Sequence, residues 1–335
     1  MPRPAPRPAS LTLLEPVFVT YPIPGPGIEL LSGSFDPRVH PAEPPPDRAA
    51  LVAGAQGCRG MLTLLRDRVD AGVLDQLPDL RAVANYAVGY DNIDVAEATR
   101  RGIVVTNTPD VLTAATADLT MALILAATRR VTEGERLVRR GEFHGWDPQM
   151  LLGLELEGAT LGLVGAGRIA LAVARRAAGF GIRLLHFSRH EVAAADALGS
   201  RRVDLGELLT QSDVVSLHVP LTDETRHMID EAALRTMKPG AYLVNTARGP
   251  VVDEAALARA LREGWIAGAG LDVYEREPAV EAALLDLDNV VLLPHLGSAT
   301  TRTRSEMSRV AAINLVAALR GERPPNPVNP EVLDR

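Results

Sequence analysis

Three polar residues hold the chemistry this sequence could perform. Arg248 lies in Val244-Asn245-Thr246-Ala247-Arg248-Gly249, and Glu277 lies in Leu271-Asp272-Val273-Tyr274-Glu275-Arg276-Glu277-Pro278. His295 lies in Leu292-Leu293-Pro294-His295-Leu296-Gly297-Ser298-Ala299. Each stands at or just beyond an apolar run that reads as a buried parallel strand, and open α/β sheets bind ligands outside the carboxyl ends of their strands. Taken singly, each has a plainer reading: a surface charge, a solvated turn before proline, a hydrogen-bonded loop histidine. Together they can carry a redox step on a 2-oxo acid. An arginine grips a carboxylate through its planar fork of donors. A histidine gives or takes the hydroxyl proton near neutral pH. A carboxylate fixes the imidazole tautomer and favours its protonated form.

The stretch Leu161 to Arg189 supplies the electron carrier's place. A short apolar run, Leu161 to Val164, precedes Gly165-Ala166-Gly167-Arg168-Ile169-Ala170, an Ala-rich helical pattern, and a second apolar run from Ile182 to Phe187. This is a strand–helix–strand unit with a dinucleotide fingerprint at its first turn. Gly165 permits the tight turn, and Gly167 lets backbone approach a pyrophosphate. The following helix N-terminus offers free N–H groups to the anion. Ala170 takes the third position, where only a small side chain is needed between helix and strand.

The second strand ends in His186-Phe187-Ser188-Arg189-His190, with no acid before Glu191. A carboxylate there would accept hydrogen bonds from the ribose hydroxyls of NAD. Ser188 and Arg189 instead suit a 2′-phosphate, so NADP(H) is favoured, with NAD(H) as the alternative.

Around these residues the chain reads as α/β throughout. Strands are predicted at Pro16–Thr20, Met61–Leu64, Arg81–Tyr86 and Ile103–Thr106, with helices at Asp47–Ala53, Asp70–Leu77 and Val95–Arg101. Pro22, Pro24 and Pro26 break any regular continuation of the first strand. Beyond the glycines, strands follow at Val214–Val219, Ala241–Asn245, Ala267–Leu271 and Val290–Leu293. Thr113–Arg130 reads as a linker helix between two domains, and Thr301–Arg320 as a helix returning to the first. The expected architecture is two Rossmann-like, doubly wound parallel-sheet domains. Residues 16–110 and 300–335 form a discontinuous substrate domain, with the nucleotide domain, 111–299, inserted between them. Residues 1–15 are Pro/Arg-rich and read as disordered. Closure of one domain over the other would exclude water, with the helices near 113–130 and 301–320 as the hinge region.

Composition narrows the partners. A net charge of −7 offers no basic field for nucleic acid. Cys58 is the only cysteine, which excludes a disulfide framework or a cysteine-ligated zinc cluster. No apolar run reaches the roughly 18 residues of a membrane span, and no signal-peptide core is present, so a cytoplasmic protein is expected. The segment Glu142 to Met150 is too apolar for a free loop: with Leu151 it carries Phe143, Trp146 and Met150. It is expected to cross to a second copy in a homodimer, where Trp146 would border the neighbouring site.

From about Val17 to Asn329 the chain resembles the D-isomer-specific 2-hydroxyacid dehydrogenases. The motifs are Asn85-Tyr86-Ala87-Val88-Gly89-Tyr90-Asp91-Asn92-Ile93-Asp94, the glycine turn, His218-Val219-Pro220-Leu221, Asn245 to Gly249 and Pro294 to Thr300. Gly141 to Pro148 is similar to the arm of the glyoxylate/hydroxypyruvate reductase branch. The resemblance implies that Arg248 anchors the substrate, Glu277 orients the histidine and His295 is the acid/base. It implies that the Leu62 loop and the backbone N–H groups of Val88 and Gly89 hold the substrate carboxylate, with Trp146 nearby. Cofactor contacts are implied for Thr116, for Gly165 to Ile169, and for Ser188 and Arg189. They are also implied for His218, Val219 and Pro220, for Thr246, Ala247 and Arg248, and for Asp272, His295 and Gly297.

The activity implied is NAD(P)H-dependent reduction of a small 2-oxo acid, glyoxylate or hydroxypyruvate, to the D-2-hydroxy acid. The alternatives are another substrate preference on the same scaffold, or a corepressor-type nucleotide-sensing binding protein.

Overall fold

The computed structural model describes residues 14–334. The expected disordered stretch therefore lies outside the described residues except for Leu14 and Glu15. Glu15 is held in place, accepting from the Asp36 N–H at 3.0 Å and pairing with Arg59 at 3.0 Å. The described chain divides into two compact units, one running to Val111 and resuming at Thr301, the other spanning Leu112–Thr300.

The first unit contains β1 (Pro16–Val19), β2 (Asp36–Val39), β3 (Gly60–Thr63), β4 (Ala82–Asn85) and β5 (Val104–Thr106). All pair in parallel in the order β2-β1-β3-β4-β5, with Val19 opposite Leu62 and Leu62 opposite Ala84. Alternate strand residues face opposite sides, and both sides are covered. Phe18, Met61 and Val83 pack with Leu51, Val73 and Ile103. Val17, Val19, Leu62 and Ala84 pack with Ala311, Ala312 and Leu315 of the helix Thr301–Leu319. Three shorter helices begin where an aspartate can cap them: Asp47, Asp70 and Asp94 each accept a free N–H of the first turn.

Two elements here were not expected. A helix at Gly27–Ser32 starts directly after Pro26, because the prolines that end the strand region do not bar a helix beyond them. The strand β2 carries Pro37 and is largely exposed, so it lacks the apolar run that betrays a buried strand; proline is tolerated there because β2 is an edge.

The second unit contains β6 (Thr160–Val164), β7 (Arg183–Phe187), β8 (Arg201–Arg202), β9 (Val214–Leu217), β10 (Tyr242–Asn245), β11 (Gly268–Leu271) and β12 (Val290–Leu292). Their order is β12-β11-β10-β9-β6-β7-β8, all parallel. Counted from β6 this is the dinucleotide-binding order with one further strand at its edge, and the winding reverses between β6 and β9.

The helix Thr113–Thr128 corrects the reading of a linker. Ala117, Met121 and Ile124 are buried against Ala170, Val173 and Ala174 of the helix Arg168–Ala177, so it belongs to the core of this unit. It ends at Thr128; Arg130 takes a left-handed conformation, φ +51°, and a separate helix, Val131–Arg139, follows. No helix among the described residues is long and apolar enough to cross a membrane.

Candidate active site

The two glycines of the turn after β6 differ in what surrounds them. Gly165 has φ +101°, and a Cβ there would stand 2.8 Å from the His218 carbonyl oxygen. It must be glycine because β9's exit loop passes directly over it. Gly167 has nothing within 4 Å of the place a Cβ would take, and it opens the ten-residue helix Arg168–Ala177. An unfilled space over a helix N-terminus fits the pyrophosphate of a dinucleotide. Ala170 is fully buried, in keeping with the close helix–strand packing asked of the third position.

Neighbouring turns complete the floor of this crevice. His218 shares a hydrogen bond with Ser216 Oγ at 2.9 Å, and burial pushes its imidazole down to about 4, so it is neutral at physiological pH. Thr246 Oγ1 meets Thr120 Oγ1 at 2.9 Å. Asn245 pins the turn leading to Arg248: its amide donates to the Arg248 carbonyl at 2.9 Å, and its oxygen accepts from the Ala247 N–H at 3.0 Å.

Glu277 and His295 meet. Nδ1 of His295 lies 2.9 Å from Glu277 Oε2, and Glu277 Oε1 accepts from the Tyr274 N–H at 3.0 Å. An ionised carboxylate can only accept, so Nδ1 carries the proton and Nε2 faces away from the pair. Burial pushes the Glu277 carboxyl up. The hydrogen bond and charge of His295, with the Tyr274 N–H and the charge of Arg248, outweigh it and hold the group below its ordinary value.

His295 itself has φ +56°, a backbone conformation that costs a non-glycine residue of order 1 kcal/mol or more. Asp272 fixes it there. Its buried carboxylate accepts from Leu296 N–H at 2.6 Å and Gly297 N–H at 2.8 Å, while Thr116 Oγ1 donates to the Gly297 carbonyl at 3.1 Å. The Asp272 side chain therefore holds the histidine's turn.

Sequence reasoning missed the support behind this pair. Glu254, only 4% exposed, accepts from the Glu275 N–H at 2.5 Å and the Glu281 N–H at 3.3 Å, which clamps both ends of the loop bearing Glu277. Burial pushes its carboxyl up. In the sequence Asp253-Glu254 looks like any acidic helix start, and Asp253 is indeed the cap. Tyr274 adds a tie from the other side, donating from its hydroxyl to the Leu293 carbonyl at 2.9 Å. Gly249 brings Arg248 to the same loop: a Cβ on it would lie 1.8 Å from the Tyr274 carbonyl carbon.

The remaining expected residues are placed as follows. Leu62 lies inside β3, fully buried, with its carbonyl accepting from Thr20; its side chain belongs to the core and faces no ligand. Val88 and Gly89 lie in the turn after β4. Their carbonyls accept from Asn107 at 2.8 Å and Asn85 at 2.8 Å, and their N–H groups have no hydrogen-bond partner among the described residues. Ser188 donates its hydroxyl to the His190 carbonyl at 2.6 Å, so in this rotamer it does not offer that proton to a phosphate. Arg189 is exposed, and Arg202 donates to the carbonyls of Ser188 at 3.0 Å and Arg189 at 3.1 Å, fixing the turn. Trp146 is 85% exposed and Phe143 52%.

Comparison with known proteins agrees with this geometry. The profile described as D-isomer specific 2-hydroxyacid dehydrogenase, NAD binding domain, matches residues 121–297. The glyoxylate reductase of Korarchaeum cryptofilum is 54% identical over 321 residues, covering 95% of this chain and 96% of that one. An NADPH-dependent glyoxylate/hydroxypyruvate reductase from Sinorhizobium meliloti, solved with NADP and malonate, superposes with a TM-score of 0.84 at 38% identity, covering 94% of this chain and 96% of that chain. A D-lactate dehydrogenase from Aquifex aeolicus, solved with NAD and lactic acid, gives 0.83 at 29% identity, covering 94% and 99%.

Proposed function

The chain belongs to the D-isomer-specific 2-hydroxyacid dehydrogenases, and on that premise we propose that it reduces glyoxylate and hydroxypyruvate through His295, Glu277 and Arg248. The observation that carries this reading is the His295–Glu277 pair at 2.9 Å, locked by Asp272 and Glu254 at the carboxyl ends of β11 and β12. Relatives named glyoxylate reductase at about half identity favour an enzyme over a nucleotide-sensing binding protein on the same scaffold.

Gly165 to Ile169, with open space at Gly167, would hold the pyrophosphate of a nicotinamide cofactor, which would supply the hydride. This chain's residues supply the rest. Arg248 holds the substrate carboxylate and polarises the carbonyl as negative charge grows on its oxygen. Glu277 keeps the proton on Nδ1, so His295 delivers its other proton from Nε2 to that oxygen and ends neutral. The N–H groups of Val88 and Gly89 are assigned to the same carboxylate.

NADPH is the preferred donor in this reading. Two features support it: Arg189, exposed on a turn fixed by Arg202, has the donor fork that suits a 2′-phosphate, and no carboxylate precedes Glu191. The exposed arm with Phe143 and Trp146 is covered by a second copy, making a homodimer. A monomer by sedimentation at micromolar concentration, still fully active, removes that last element.

Initial rates on glyoxylate and hydroxypyruvate with each reduced cofactor test the whole. His295→Ala should lower kcat by about 10²–10⁴-fold. A folded His295→Ala variant with near-normal turnover refutes the assignment, and a tenfold preference for NADH refutes the reading of Arg189.

A further inference from the structure

A second histidine–glutamate pair stands in the larger unit, and the proposed reaction does not use it. Nε2 of His227 lies 2.9 Å from Glu275 Oε1. An ionised carboxylate can only accept, so this nitrogen carries the proton. Like His295, His227 has a left-handed backbone, φ +50°, which a non-glycine residue keeps only where its surroundings hold it.

The pair joins the exit loops of three neighbouring strands, β9, β10 and β11. His227 lies in the loop after β9, which is stiffened from within: Thr225 Oγ1 accepts from the Thr222 N–H at 2.8 Å and donates to the Pro220 carbonyl at 2.7 Å. The His227 N–H donates to the Pro250 carbonyl at 2.8 Å, and the Ile229 N–H to the Val251 carbonyl at 3.0 Å. Pro250 and Val251 belong to the turn that carries Arg248. The imidazole then reaches the loop after β11, where Glu275 stands two residues before Glu277. Glu254 holds the Glu275 N–H at 2.5 Å, and His227 holds its carboxylate.

We infer that His227 is a positioning residue for the reaction: through Glu275 it draws the loop carrying Glu277 against the turn carrying Arg248, and so places His295. Gly249 lets those two segments approach, and the imidazole is the side-chain link that keeps them together. Backbone bonds secure His227 to the arginine's turn, so the ring alone carries the tie across to the acid's loop. The His227 and Glu275 side chains are 40% and 28% exposed, and a pair so open to water adds little to stability. Its loss should therefore show in rate before it shows in melting. The inference rests on the trio assigned above.

H227G separates the task of the ring from that of the turn. Glycine is at ease at φ +50°, so Tm should hold. On glyoxylate kcat should fall about tenfold, less than the roughly 10²-fold of a full ångström's misplacement. The Kd for the reduced dinucleotide, read by fluorescence titration, should stay close to that of wild type. H227Q, whose amide nitrogen can stand where Nε2 does, should recover part of the lost rate. E275A should match H227G, and the double variant should be no slower than either, as for two residues acting as one unit. Wild-type kcat in H227G, a kcat loss that appears only with a fall in Tm, no recovery in H227Q, or losses that multiply in the double variant each overturn the inference while leaving glyoxylate reduction standing. Near-normal turnover by folded His295→Ala overturns the trio, and the inference with it.

Discussion

Gly249→Ala is the sharpest test of how Arg248 and Glu277 are held together. The added methyl would sit 1.8 Å from the Tyr274 carbonyl carbon, 1.9 Å from its oxygen and 2.4 Å from the Glu275 nitrogen, all backbone atoms with no rotamer to yield. Ordinary carbon–carbon contact is about 3.5 Å, so the two loops must part by roughly 1.7 Å. One loop carries Arg248 and the other Glu277, which holds His295. A displacement of about 1 Å in a reacting constellation costs on the order of 10²-fold in rate. Overpacking of this kind also destabilises by about 1–3 kcal/mol, or a fall in Tm of about 3–10 °C for a domain of this size. The assay is kcat on glyoxylate, with calorimetry on the same preparation. A variant within threefold of wild-type kcat and with unchanged Tm would show that the close approach of the two loops is not what positions the trio.

Gly167→Ala should behave oppositely: its Cβ enters open space, so Tm should hold, while the Kd for the reduced dinucleotide, read by fluorescence titration, should rise about tenfold or more. Unchanged affinity would move the pyrophosphate elsewhere. Glu254 gives a pH signature. Its folded-state carboxyl is raised by burial, so the stability it contributes is present below the ordinary carboxylate range and is lost as pH rises through the raised value. Glu254→Gln cannot ionise, so its Tm relative to wild type should improve between pH 4 and pH 8. A difference that is flat or runs the other way would contradict the raised value.

The trio and the glycine turn stood out because each follows a buried or largely buried parallel strand, and such strands appear as apolar runs ending in a polar residue or glycine. What the sequence concealed is of two kinds. Elements without apolar periodicity escaped: the exposed edge β2, the two-arginine β8, and the helix Val131–Arg139, in which no residue is buried. Glu254 escaped as well, and the hold of Asp272 on the histidine's turn was not foreseen, because nothing local separates either from a surface carboxylate. Their partners lie 21 to 27 residues away in the chain for Glu254 and 24 to 25 for Asp272, and only the fold brings them together. Leu62 shows the reverse error. The residue named for the loop that follows β3 sits inside the strand, before that loop begins.

The discontinuity of the first unit has a consequence for the chain during synthesis. The helix Thr301–Leu319 covers one face of its sheet, packing Ala311, Ala312 and Leu315 against Val17, Val19 and Leu62. Asn329 closes the far edge by accepting from the Val105 N–H and donating to the Ile103 carbonyl. Roughly 190 residues of the second unit leave the ribosome before that helix exists, which at about 5–20 residues per second is a delay of about 10–40 s. Through that interval the first five strands have an apolar face with nothing to lie on it, whereas the second unit, drawn from one unbroken stretch, can finish at once. The nascent chain thus presents a sticky, half-built sheet for many times longer than a domain of that size needs to fold, and this is the period in which a chaperone would matter most to it.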